Sequence, residues 1–119
     1  MHLKIEGIRR RVAVAVAALG LLLAQGAMAQ TVGESLVKSR ICLGCHQVDT
    51  PRVGPPFRAV AQRYAGQPDA EAYLANSIRS GGRYRWGKLS MAAQPQVSPE
   101  EAHEIAKWIL TLAPEQKKP

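Results

Sequence analysis

Cys42-Leu43-Gly44-Cys45-His46 holds two cysteines three positions apart with a histidine directly after the second, and these are the only cysteines in the chain. A run of the form C-x-x-C-H reads as a c-type haem attachment site. Two thiols one helical turn apart can each add to one vinyl group on a haem edge. The adjacent His46 is then carried under the iron as its proximal ligand. The bland readings of the same residues are a thioredoxin-like redox pair, a zinc site and a disulfide. A thioredoxin motif belongs beside a βαβ pattern, and the sequence has none. A structural zinc ion wants four ligands in separated pairs, and only His103 could join Cys42, Cys45 and His46.

The residues before the motif point to export. Lys4, Arg9, Arg10 and Arg11 form a basic start, Val12 to Leu23 is an unbroken apolar run, and Ala27-Met28-Ala29 has the small-x-small form of a cleavage site. Residues 1–29 therefore read as a secretory signal peptide, which places residues 30–119 in the periplasm as one small domain. Twelve apolar residues fall well short of the ~20 that cross a bilayer, so no stable membrane insertion is expected after cleavage. Residues 30–119 carry 12 Lys and Arg against 8 Asp and Glu, a net +4 beside +7 for the whole chain. So mild a charge, with few aromatics and no long basic stripe, argues against nucleic-acid binding. A domain of this size is often helped by a covalent or metal staple, which a buried haem would supply.

The rest of the domain reads as all-α, with about four short helices joined by Pro/Gly-rich loops. Thr31 and Glu34 have capping-box spacing ahead of a first helix through Leu36, Val37 and Arg40. A second helix from about Phe57 to Ala65 puts Phe57, Val60, Ala61 and Tyr64 on one face, and Gly66 stops it. Pro68-Asp69 opens a third with Leu74 and Ile78 on one face, ended by Gly81-Gly82. Arg83 to Val97 has no periodicity and reads as an ordered loop. In the last helix Ser98 is the N-cap, Pro99 the first helical residue and Glu101 the other half of a capping box. Ala102, Ile105, Ala106, Ile109 and Leu112 recur on its core face; Pro114 ends it, ahead of a frayed tail, Glu115 to Pro119.

Removing the signal leaves Met91 as the only methionine, in the irregular segment where a loop could fold across the second haem face. A thioether ligand there would raise the reduction potential. A methionine more often fills a gap in a core, but a haem that needs a sixth ligand favours ligation. His103 is the competitor. It sits toward the polar side of the last helix beside Glu104 and Lys107, and ligation by it would expose Ile105 and Ile109. Arg79, Arg83, Arg85 and Lys88 form a basic cluster, either a solvated charged loop or a collar that steers acidic redox partners or pairs with a haem propionate.

Residues 30–119 resemble the small bacterial class I cytochromes c of the c551/c552 type over nearly their whole length. The resemblance is carried by the attachment motif, Val53-Gly54-Pro55-Pro56-Phe57, Tyr64-Ala65-Gly66, Trp86-Gly87, Met91 and Ala106-Lys107-Trp108-Ile109-Leu110. It implies the cytochrome c fold around one haem c bound through Cys42 and Cys45, with His46 and Met91 on the iron. It also implies that the Pro55 carbonyl accepts from the free nitrogen of His46, that the Trp86 indole reaches a propionate, and that Trp108 packs near the attachment helix. The implied role is a monomeric shuttle of single electrons between redox protein partners, not an enzyme. A fixed haem subunit of a dehydrogenase, or a haem protein that binds a diatomic ligand or turns over peroxide, are the rival roles. One stretch departs from the family pattern. Leu89-Ser90-Met91-Ala92-Ala93-Gln94-Pro95 lacks the prolines that flank the methionine and the asparagine that bonds its sulfur. Gln94 is the substitute donor available, and a less rigid ligand loop is expected.

Overall fold

A computed structural model describes residues 32–114, and the expected signal peptide and cleavage site, the expected Thr31 cap and the C-terminal tail lie outside them. Among the described residues there are four α-helices and no strand: α1 (32–39), α2 (Phe57–Tyr64), α3 (Ala70–Ser80) and α4 (Pro99–Thr111). A single 3-10 turn, Cys42–Gly44, follows α1. No helix among these residues is long and apolar enough to cross a membrane.

The helix α4 is the spine. Both halves of the capping box form, with Ser98 Oγ accepting from the Glu101 N–H and the Glu101 carboxylate accepting from the Ser98 N–H. Ala102, Ile105, Ala106, Trp108 and Ile109 of α4 are buried, and they pack against α2 and α3. The expected faces of α2 and α3 are the buried ones, Phe57, Val60, Ala61 and Tyr64 on one helix and Leu74 and Ile78 on the other. Asp69 sits at the N-cap of α3 without a side-chain capping bond, and Gly81 ends that helix with φ +73°. The buried Gly33 lets α1 lie directly on α4, because a Cβ there would collide with the Glu104 carbonyl and the Trp108 side chain. Trp108 takes the core role, edge-on to Phe57 at 5.6 Å.

Glu101 also joins the ends of two helices, since it accepts from the Arg40 guanidinium just past α1. That bond first, and the Ser98 N–H second, hold its carboxyl below the ordinary 4.5. A carboxyl lowered by folding stabilises the fold above its ordinary value, and that contribution disappears as the pH falls through the lowered one. The denaturant midpoint is therefore expected to drop with acid below pH 4.5. Glu101→Gln should flatten part of that slope in urea titrations at stepped pH, the remainder belonging to groups such as Glu100, which its own backbone N–H holds low. An unchanged slope in the variant would remove Glu101 from the acid limb.

Candidate haem-binding site

The 3-10 turn carries the attachment motif. Its backbone is closed by Cys45 N–H to Cys42 O at 3.2 Å and His46 N–H to the same carbonyl at 3.0 Å. Ile41 enters the turn at φ +62°, an unusual conformation for a β-branched residue. The turn places both thiols on one cavity, Cys42 half-buried and Cys45 exposed. Burial pushes the Cys42 thiol above its ordinary 9.0. A dithiol oxidoreductase needs the opposite, a thiol made acidic by its surroundings.

His46 is fixed by its neighbours. Its Nδ1 lies 2.8 Å from the Pro55 carbonyl oxygen, and because a carbonyl only accepts, that bond puts the ring proton on Nδ1. Nε2 is then the bare nitrogen, the form a metal takes, and the bond fixes the ring's orientation. Phe57 stacks on the ring at 5.0 Å and 18°. Gly54 supplies the clearance: a Cβ there would run into the ring, 2.8 Å from Nδ1 and 3.0 Å from Nε2.

Met91 reaches the same cavity from the other end of the fold. The segment before α4 lacks regular structure, as its sequence suggests, but it is pinned by a two-bond bridge that periodicity does not reveal. Met91 N–H donates to Gly82 O at 2.8 Å, and Gly82 N–H returns to Met91 O at 3.0 Å. Gly81 makes the close approach possible, since a Cβ there would lie 2.5 Å from the Met91 carbonyl oxygen. Gln94 N–H to Ile78 O at 3.1 Å adds a third tie to α3. The Met91 segment is thus anchored by backbone bonds. The Gln94 side chain lines the same cavity, donating one amide N–H to Ala92 O and accepting from Gln96, and its second amide N–H has no partner among these bonds. Met91 is 37% exposed and lines the cavity.

One cavity of about 300 Å³ gathers Cys42, Cys45, His46, Pro55, Trp86 and Met91. Its volume is at the low end of the range for cofactor pockets. The rest of its wall is largely apolar, with Val60, Leu74, Ile78, Ile105 and Ile109 among its residues. Two thiols, a bare imidazole nitrogen and a thioether around one apolar space are the donor set that a covalently held haem uses, so the residues fit that group. Trp86 lines this cavity with the Arg63 guanidinium 4.5 Å over its ring. His103 is elsewhere, its Nδ1 paired to Glu71 Oε1 at 2.8 Å between α4 and α3.

The Cytochrome c family model matches residues 31–113. The chain belongs to the cytochrome c family. The chain is 46% identical over 94 residues to cytochrome c-551 of Pseudomonas aeruginosa, covering 79% of this chain and 88% of that one. To cytochrome c-552 of Nitrosomonas europaea it is 42% identical over 96 residues, 81% of this chain and 90% of the other. The crystal structure of Nitrosomonas europaea cytochrome c552 superposes with a TM-score of 0.65 at 42% identity, covering 66% of this chain and 98% of that one. The class 1 cytochrome MtoD of Sideroxydans lithotrophicus gives 0.57 at 30% identity, over 69% and 94%. The fold is therefore the all-α cytochrome c fold, and this cytochrome is an electron carrier built around covalently bound haem c.

Proposed function

We propose that residues 30–119 are a periplasmic carrier, exported by residues 1–29, that passes single electrons between redox protein partners through one haem. Cys42 and Cys45 would hold the haem, His46 and Met91 would ligate its iron, and Pro55 and Trp86 would orient the histidine and a propionate. When bound, the haem supplies a one-electron couple between ferric and ferrous iron. The polypeptide supplies everything that tunes it. Pro55 sets the His46 tautomer, the Gly82 bridge fixes the backbone that carries Met91, and the apolar wall keeps water from the iron's surroundings.

The observation that carries this reading is the convergence of His46 and Met91 on the cavity that also holds both thiols. Two protein ligands close the iron, whereas an enzyme or a gas sensor needs a vacant position. Haem-loaded protein should therefore show one reversible one-electron wave in potentiometry, and its reduced form should bind carbon monoxide slowly if at all. Rapid carbon monoxide binding by the unmodified protein would transfer the reading to the ligand-binding or peroxide-consuming class.

A further inference from the structure

The basic cluster around the end of α3 divides into three kinds of side chain. Arg79 donates from Nε to the Val97 carbonyl at 3.1 Å and ties α3 to the start of α4. Arg83 and Lys88 are exposed and lie off the cavity. Arg85 is the only Arg, Lys, Asp or Glu among the residues that line the cavity.

Arg85 stands at the rim in a prepared seat. Its Nη1 donates to Ser77 Oγ at 2.5 Å. Its guanidinium lies over the Tyr73 ring, 5.1 Å from the centroid. The guanidinium packs against Gly82, where a Cβ would come within 3.1 Å of Cζ and Nη1. The backbone is held as well: Arg63 Nη1 donates to the Arg85 carbonyl at 2.6 Å, while the same guanidinium covers Trp86. Among the described residues no carboxylate pairs with Arg85 or Arg63. A guanidinium has five N–H donors in a fixed fork suited to a carboxylate, and only one of these is used.

We propose that Arg85 is the counter-charge for a haem propionate, with Ser77, Tyr73, Gly82 and Arg63 as positioning residues. The inference rests on the haem-carrier reading above. Haem c is a largely apolar plane with two carboxylates, and a carboxylate placed against an apolar wall is costly without a paired donor. A cation at that place also disfavours ferric iron, which carries one more positive charge than ferrous iron. Arg85 therefore raises the reduction potential, by an amount that solvent and salt at the rim reduce.

The test is the midpoint potential of haem-loaded Arg85→Met and Arg85→Lys beside the wild type at low ionic strength. Arg85→Met should favour the ferric form by about threefold, close to half of the 59 mV that a decade is worth for one electron. Arg85→Lys keeps the charge and should stay near the wild type, which a merely structural role would not arrange. Arg85→Gln is a second neutral variant with the same expected shift as Arg85→Met. Potentials unchanged in the neutral variants, or moved equally by Lys and Met, would overturn the proposal. The weak red absorbance of sulfur bound to ferric iron, recorded on each protein, separates this from the ligand reading. Its absence from the wild type would count against Met91 and leave the comparison at Arg85 intact.

Discussion

Met91→Ala is expected to lower the midpoint potential of the haem-loaded protein by roughly 0.2 V, a quarter of the ~0.8 V range over which axial ligands set haem potentials. The soft thioether favours ferrous iron, so its removal favours ferric iron. The variant should also bind carbon monoxide rapidly when reduced, because one coordination position is opened. The surrounding structure is expected to survive. The Gly82–Met91 bridge consists of backbone bonds that alanine retains, and Met91 does not belong to the buried core cluster. A fall in potential would then report the sulfur and not a collapsed loop. Redox titration and carbon monoxide flash photolysis check both parts. A variant with the wild-type potential and a closed iron would refute ligation by Met91.

Gly54→Ala should damage the other side of the iron while leaving every ligand in the sequence. The new Cβ would lie 2.8 Å from His46 Nδ1, and the ring has little room to retreat with Phe57 stacked on it and Pro55 bonded to it. The Gly54 backbone is equally constrained, its N–H donating to Cys45 O at 2.7 Å and its carbonyl accepting from Arg52 N–H at 3.1 Å. Overpacking of this kind costs about 1–3 kcal/mol. Breaking the His46–Pro55 bond would add about 0.5–1.5 kcal/mol. The expected result is a lower urea midpoint together with a weaker, mixed-spin haem spectrum, as His46 loses its fixed orientation. A variant matching the wild type in both would show that His46 is not held by this contact.

The parts of the fold that depend on local chemistry are legible in the sequence. The α4 cap and its core face follow from Ser98, Pro99, Glu101 and the three-four spacing of Ala102 to Ile109, because those interactions lie within one or two turns. The attachment motif is just as local. Features made by two distant backbones left no such trace. The Gly82–Met91 bridge uses main-chain groups that every residue possesses, so the loop looked irregular while its anchor was invisible. Gly33 and Gly54 look like ordinary glycines until Trp108 and His46 come to rest against them. Charge alone did not separate Arg85 from Arg83 and Lys88; Ser77, Tyr73 and Gly82 do.

The most direct measurement of a closed His46/Met91 iron uses the scarcity of methionine. Residues 30–119 contain a single one, Met91. Protein labelled with 13C at the methionine methyl, loaded with haem, processed and reduced should give one methyl resonance in a carbon–proton correlation spectrum. With Met91 bound to the iron, its methyl lies over the macrocycle, and the ring current shifts that resonance far upfield of any ordinary methionine. A methyl at the ordinary methionine position would contradict the assignment, leaving the iron without its sulfur ligand.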